Sequence, residues 1–410
     1  MKHYVIIGNG VAAAGCIEGI RSVDQTGEIT VISQETHPVY CRPLISYYLE
    51  GRTDLSRMAY RDEDFYEVMG CRVLYGRRAV RIAPDTRQVE LDDGTAVPYT
   101  ELCLATGSAP FVPPFAGLET VPDKFSFMTL DDALALDKAI DRDSRVLIVG
   151  AGLIGLKCAE GICHRVQSVT VCDLAHRVLS SILDEACAAI VQKHLEQHGI
   201  RFCLGNSADR FAGNTACMKS GEVTPFDVLV LAVGVRANTA LLKDIGGEVN
   251  RGILVDERMR TSLQHIWSAG DCAEGTDLST GQKRVLAILP NAVMQGRTAG
   301  VNMAGGDAVF DKGIPMNAIG FFGLHAMTAG TYEGTLYEEK TEHSIKRLFT
   351  KDGLLKGFML IGCQERAGIY TSLIREQTPL ASVDLDLLEK HATTAAFSAQ
   401  TRRKMFGGVV

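Results

Sequence analysis

Apolar and polar positions alternate with two different periods along this chain. The runs at 4–7 ("YVII") and 145–149 ("RVLIV") are almost continuously apolar. A parallel strand covered on both faces requires that pattern. Each run leads into a glycine turn, a helix-period stretch and a second strand, "EITVIS" after the first and "SVTVCD" after the second. One strand–turn–helix–strand unit is thus written twice, with Gly8 and Gly150 142 residues apart. Further on, "GILVDERMRTSLQHIWSAGDCAE" (252–274) reads as strand, connector and apolar strand, and "LPNAVMQGRTAGVNMAGG" (289–306) as a helix ended by glycines. From about 313 the pattern changes to "IGFFG", "GTYEGTLYE", "SIKRLFT" and "LLKGFMLIG", short β patterns with Gly or charged turns. These predict an antiparallel sheet. Helical patterns follow at 365–376 and 384–405, and the Pro-rich, polar stretch 113–125 reads as a linker.

The chain has 410 residues, more than one core usually supports, so two or three domains are expected. Its net charge of −7 argues against wholesale nucleic-acid binding. The N-terminus enters a strand at once, so no signal peptide is expected, and no apolar run is long enough to predict a membrane span. The expected location is cytoplasmic. The twelve cysteines include no CxxC pair, so local zinc or cluster ligation is not indicated and no metal is expected. Most sit in apolar patterns and read as small buried hydrophobes in a reducing compartment.

Both glycine turns carry a dinucleotide fingerprint, Gly8-x-Gly10-x-x-Ala13 and Gly150-x-Gly152-x-x-Gly155. The first glycine permits the tight turn, the second lets a pyrophosphate approach the backbone, and the third small residue lets helix and strand pack closely. The helix N-terminus then faces the phosphate charge. Two copies in the right context predict two nucleotides on two domains. Ribose hydroxyls need an acceptor at the end of each second strand. In the second unit Asp173 ends the strand, which favours NAD(H) by repelling a 2′-phosphate. His176 and Arg177, close behind it, could accommodate that phosphate instead. In the first unit the strand ends at Ser33, and Glu35 two positions on is the candidate acceptor.

With these motifs in view, the chain resembles the FAD-dependent pyridine-nucleotide oxidoreductase family. The likeness is greatest to NADH:rubredoxin reductases and to the flavin domain of the assimilatory nitrite reductase large subunit. The matching stretches span nearly the whole chain: the two fingerprints, "YCRPLISYYLEG" (40–51), "LCLATGSAP" (102–110), "LAVGVRANTALL" (231–242), "WSAGDCAE" (267–274) and "NAVMQGRTAG" (291–300). The resemblance implies an α/β protein with two interleaved Rossmann-like domains and a C-terminal α+β domain. FAD would bind a discontinuous domain of residues 1–112 and 237–312, and NAD(P) an inserted domain of residues 113–236. Residues 313–410 would cover the flavin. The resemblance places Arg42 and Pro43 along the flavin and its phosphates, and Asp271 on the ribityl chain. It also implies FAD contacts at Val80, Thr106, Gly107, Gly270 and Phe322, and NAD contacts at Ile154 and Gly234.

"CAEGIC" (158–163) has the cysteine spacing of a flavin-linked redox disulfide, but it lies on the helix after the second fingerprint, in the presumed NAD domain. Residues i and i+5 on a helix point about 140° apart and rise about 7.5 Å, too far for ordinary disulfide geometry. Packing is the expected role of Cys158 and Cys163. Cys41 falls two residues from where single-cysteine NADH oxidases and peroxidases carry their thiol, so it is not expected to be peroxidatic. Two departures from ferredoxin-reductase relatives stand out. Tyr47 occupies the place of their flavin-side lysine, and Lys157 the place of their glutamate. The expectation is that Lys157 lies near flavin N5 and favours the anionic reduced flavin. The alternative is a lysine running along the helix to solvent.

The expected function is an FAD enzyme that takes hydride from NADH and passes electrons to a small carrier, rubredoxin or a ferredoxin-type iron–sulfur protein. The competing readings are an NADH oxidase or peroxidase, and a flavin subunit docked in a larger iron–sulfur complex. In the latter, the tail 401–410 with Arg402, Arg403 and Lys404 is a candidate docking element. Oligomeric state is open between a homodimer and a complex subunit.

Overall fold

The computed structural model describes residues 2–363 and 365–405. They divide into two compact units. One holds the chain up to His176, Gly199–Thr276 and Gln282–Asp311; the other holds Arg177–His198, Asp277–Gly281 and the chain from Lys312 on.

The first unit is built on two five-stranded sheets whose strands pair in parallel. In one, the order is Ile266–Ser268, Glu101–Leu104, His3–Ile7, Glu28–Ser33 and Cys71–Tyr75. In the other it is Ile200–Leu204, Ser168–Asp173, Arg145–Val149, Val228–Leu231 and Lys124–Phe125. The repeat seen in the sequence supplies the middle strand of each sheet. His3–Ile7 and Arg145–Val149 are hydrogen-bonded on both edges and buried on both faces, as their apolar runs require. Each leads into a helix, Val11–Arg21 or Leu153–Ile162.

The helix Val11–Arg21 crosses the helix Leu289–Met303 with the two backbones almost touching. A Cβ added at Gly296 would sit 2.0 Å from the Ala12 carbonyl oxygen, and one at Gly300 2.0 Å from that of Cys16. The stretch 113–125 is more than a linker. It contains a 3₁₀ turn, Leu118–Thr120, and its end, Lys124–Phe125, adds the edge strand of the second sheet. This unit also holds two three-stranded antiparallel meanders, Ala79–Pro98 and Ala208–Pro225. The sequence reading did not anticipate them.

The second unit is a five-stranded antiparallel sheet in the order Met316–Phe321, Leu324–Gly330, Leu354–Ile361, Ile345–Lys351 and Thr335–Lys340. Helix Ala367–Arg375 packs its apolar side on this sheet. The helical pattern expected at 384–405 is broken into Leu385–Lys390, the 3₁₀ turn Thr394–Ala396 and Ala399–Met405. Thr393 marks the break: it caps the short turn, its hydroxyl accepting from the Ala395 amide at 3.2 Å. Helix Glu185–Gln197 belongs to this unit although its sequence lies between two strands of the other. Asp184 caps it and pairs with Arg347, which also bonds Glu338 at 2.6 Å. Among the described residues no helix is long and apolar enough to cross a membrane. In the candidate docking tail, Arg402 donates to the Phe397 carbonyl at 2.9 Å, while the Lys404 side chain and residues 406–410 lie outside the described residues.

Candidate nucleotide and flavin site

The two fingerprint turns have one geometry. Gly8 has φ 111° and Gly150 φ 118°. A Cβ at either would fall 2.1 or 2.2 Å from a carbonyl oxygen of the neighbouring strand end, Ala105 or Ala232. Only glycine meets both demands. Gly10 and Gly152 are the residues just before each helix, and a Cβ there would meet nothing within 4 Å. Open space at the head of a helix, with unpaired amides pointing into it, fits a pyrophosphate. Ala13 is fully buried, and a Cβ at Gly155 would strike the Gly150 carbonyl oxygen at 2.0 Å, so each third position packs its helix onto its turn.

Around the first turn, side chains from distant segments converge. Glu35 pairs with Arg42 and accepts the Tyr40 hydroxyl at 2.7 Å. Tyr40 accepts in turn from the Leu130 amide at 2.8 Å, and Arg42 donates to the Met128 carbonyl at 3.1 Å. Glu35 is thus held in a network before any ribose reaches it, although each carboxylate oxygen keeps a further lone pair. Asp271 is different. No hydrogen bond to its carboxylate occurs among the described residues. Burial raises its pKa, and the Arg42 charge partly offsets that. A sheltered carboxylate facing a cation, with no protein donor of its own, fits a hydroxyl-bearing ligand. The adjacent Gly270 has φ 85° and donates its amide to Gln295 Oε1 at 2.8 Å. Thr106 and Gly107 are clasped by Asn238. The Thr106 hydroxyl donates to the Asn238 carbonyl, and the Asn238 side-chain amide to the Thr106 carbonyl, both at 2.8 Å. Pro43 is exposed in the 3₁₀ turn Arg42–Leu44. Val80, 44% exposed on the strand Ala79–Ala83, lies outside this hydrogen-bonded group.

At the second turn, Asp173 ties strand to loop. One carboxylate oxygen accepts from the Ala151 amide at 2.7 Å and the other from Ala175 at 2.8 Å. Ile154 is the second residue of the helix Leu153–Ile162. Gly234 has φ 109° with open space at its Cβ position, where the chain leaves the strand Val228–Leu231. Arg177 is committed elsewhere: its guanidinium donates to the Leu183 carbonyl at 3.0 Å and the Ser180 carbonyl at 3.3 Å.

The two halves meet where helix Ile45–Leu49 packs on helix Leu153–Ile162. A Cβ at Gly161 would approach the Ser46 carbonyl oxygen to 2.8 Å. There the Lys157 ammonium stands 4.4 Å from the centre of the Tyr47 ring and pairs with Glu160. The Lys157 side chain is 14% exposed and that of Glu160 1%, so the lysine folds inward rather than running to solvent. Arg52 approaches the same ring at 4.7 Å. The sequence reading found Tyr47 and Lys157 but missed Glu160, Asn238 and Gln295. The helical spacing of three between Lys157 and Glu160 was the available signal for the first.

The cysteines of "CAEGIC" are free thiols. Cys158 is fully buried and burial raises its pKa; burial pushes Cys163 up to about 11, with Glu160 and Glu50 adding to it. Cys41 is also raised by burial. Phe322, expected against the flavin, lies in the second unit. It stands at φ 46° in the turn after the strand Met316–Phe321 and stacks on His198 at 4.1 Å, with 3° between the planes.

Comparison with known proteins gives the family. The family profile described as pyridine nucleotide-disulphide oxidoreductase matches residues 2–296. The chain is 34% identical over 392 residues to subunit epsilon of the NADH-dependent phenylglyoxylate dehydrogenase of Aromatoleum evansii, covering 92% of each. It is 30% identical to an NADH oxidase of Methanocaldococcus jannaschii, covering 87% of each. It is 29% identical to a nitrite reductase [NAD(P)H] of Bacillus subtilis, over 88% of this chain but only 44% of that protein. Among solved structures, the ferredoxin reductase for the CYP199A2 system from Rhodopseudomonas palustris superposes with a TM-score of 0.86 at 26% identity, covering 97% of this chain and 100% of that one. The chain belongs to the pyridine nucleotide-disulphide oxidoreductase family and is an FAD-dependent NAD(P)H oxidoreductase, with FAD and NAD(H) as its cofactors.

Proposed function

We propose that this protein oxidises NADH and passes the electrons to a small electron-carrier protein, a rubredoxin or a ferredoxin-type iron–sulfur protein. Bound FAD supplies the chemistry, accepting two electrons from NADH and releasing them onward. The protein's own residues bind and orient. The Gly8–Ala13 and Gly150–Gly155 turns cradle the two pyrophosphates, Asp271 and Glu35 accept sugar-chain hydroxyls, and Asp173 selects the unphosphorylated ribose. Lys157, held over Tyr47 where the two halves meet, places a cation on the reaction face and stabilises negative charge that develops there.

The observation that carries the choice of acceptor is the state of the sulfur. Burial raises the pKa of Cys158, within the helix Leu153–Ile162, and of Cys163 at its C-terminal cap, which leaves both poorly suited to nucleophilic exchange. With no sulfur relay at hand, electrons leave for an external acceptor. The likeness to a ferredoxin reductase supports a protein carrier. The test is anaerobic. NADH-reduced protein is mixed with rubredoxin, with a [2Fe–2S] ferredoxin, with O₂ and with peroxide. Reoxidation should be fastest with one of the carriers. Fast NADH turnover in air without any carrier would overturn the reading in favour of an oxidase, the activity named for the 30% identical relative.

A second reading has its own support, since the relative at 34% identity is named as a subunit. In it the chain is the NADH-oxidising subunit of a larger iron–sulfur enzyme, and a cluster protein should co-purify in stoichiometric amount. Domain limits of 1–112 with 237–312, 113–236 and 313–410, a cytoplasmic location and a homodimeric free form complete the proposal. Gel filtration of the holoprotein tests the last.

A further inference from the structure

We propose that Glu160 is a positioning residue for the reaction: its buried carboxylate fixes the Lys157 ammonium on the Tyr47 ring. The inference rests on the reading of Lys157 as the cation of the reaction face. Glu160 is 1% exposed and three residues from Lys157 on the same helix. A carboxylate sheltered to that degree needs a donor. The lysine that supplies one could instead have reached water, since its four-carbon stem is long enough. It turns inward and sits 4.4 Å from an aromatic ring carried by the other half. The seam is tight, because Gly161 leaves no room for a Cβ against Ser46 and Arg165 donates to the Leu49 carbonyl at 3.0 Å. The cation therefore belongs to the NAD-side helix but is presented to the FAD-side helix, and Glu160 helps to aim it.

Ionisable groups near the pair include Tyr47 and Arg52 on one side, and Glu50 and Cys163, whose thiol feels both Glu160 and Glu50. Arg52 pairs with Glu50 at 3.4 Å, and Arg165 with Asp137 at 2.7 Å. Arg52 brings a second positive charge to the Tyr47 ring. Removing the Glu160 charge takes one counter-charge from a sheltered ammonium close to the Arg52 cation. Both effects favour its neutral form.

In Glu160→Gln the Lys157 ammonium loses the Glu160 charge beside it, so it should be present at low pH and lost as pH rises. NADH-dependent flavin reduction should then run within about threefold of wild type at pH 6.5 and fall about tenfold or more by pH 9. Lys157→Met should be slow at every pH and lack that limb, as should the double variant. The same titration is read without turnover from ¹³Cε-lysine-labelled protein, with the Lys157 resonance identified by its loss in Lys157→Met. Glu160→Asp, which retracts the carboxylate but keeps its charge, should lie between and serves if the glutamine variant does not fold. A Lys157 titration and a rate profile unchanged in both Glu160 variants would overturn the proposal while leaving the Lys157 reading intact. A flavin midpoint potential and reduction rate unchanged in Lys157→Met would sink the underlying reading itself, and Glu160 with it.

Discussion

Asp271 is a sheltered carboxylate beside a cation. Burial raises its carboxyl pKa, the Arg42 charge works against that, and no donor among the described residues bonds it. A ribityl hydroxyl would supply the missing donor. Asp271→Ala should therefore weaken FAD binding by roughly 1.5–3 kcal/mol, about 10- to 150-fold in Kd; unchanged retention of FAD on dialysis would remove Asp271 from the site. The raised pKa has a second consequence, for the apoprotein. Ionised Asp271 destabilises the fold at neutral pH, and that penalty is relieved as pH falls through the raised folded value towards the unfolded one near 3.9. Asp271→Asn should raise the apoprotein Tm at pH 7 by an amount that shrinks towards pH 4, and the order should reverse once FAD is bound. Asp173 makes a different demand. It holds the Ala151 and Ala175 amides, so truncation would loosen the turn along with the selectivity. Asp173→Asn keeps an oxygen and loses the charge. It should narrow the NADH-to-NADPH ratio of kcat/KM by about tenfold. A ratio that does not move would assign selectivity elsewhere, although Arg177 is already occupied by two carbonyls. At this scale the sequence revealed the residues that belong to a motif. It did not reveal Glu160 or Asn238, because their roles come from which segments meet, and no local period records that.

Elements were most legible where a strand is covered on both faces. The strands His3–Ile7 and Arg145–Val149, their turns and the helix Leu289–Met303 all lie where the patterns put them. The two meanders went unread because their strands run three to five residues, with few apolar positions to set a period. The membership of helix Glu185–Gln197 in the second unit was invisible for another reason. Its amphipathic stripe says that one side is buried but not against what. The crossing of Val11–Arg21 on Leu289–Met303 makes a prediction of its own. A methyl group at Gly300 would lie 2.0 Å from the Cys16 carbonyl oxygen, so the helices must move apart. Gly300→Ala should destabilise by about 1–3 kcal/mol or more through overpacking and loosen FAD, since the first of these helices begins at the fingerprint turn. Gly368, in the helix Ala367–Arg375, is the control. It has nothing within 4 Å of its Cβ position, and alanine there should be neutral or stabilising by up to about 1 kcal/mol. Equal losses in the two variants by chemical denaturation would mean that the crossing is not backbone-tight.

For the whole molecule the decisive quantity is how many electrons it stores. The family takes its name from a disulfide, and this chain has twelve cysteines, all free thiols in the structure. The pair with the suggestive spacing lies along one helix, Cys158 within it and Cys163 at its C-terminal cap in helical conformation, and helical side chains five apart diverge by about 140°. Cys158 is wholly buried, and Cys163 titrates only at about 11. A thiol that deprotonates that late is a small fraction thiolate at neutral pH, and thiolate is the reactive form. If the flavin is the sole redox centre, anaerobic reduction with NADH should end at two electrons per FAD. Conversion of Cys158 to Ala and Cys163 to Ser should leave the rate of that reduction within about threefold, since neither sulfur takes part in it. A chain storing four electrons would behave otherwise. It would take up twice the reductant, show a thiolate-to-flavin charge-transfer band at the half-way point and lose that band in the double variant. That result would move the electron exit from an external carrier to the sulfur and overturn the function proposed. The two-electron result would make this chain a member of a disulfide reductase family that has kept the flavin and nucleotide machinery without the disulfide.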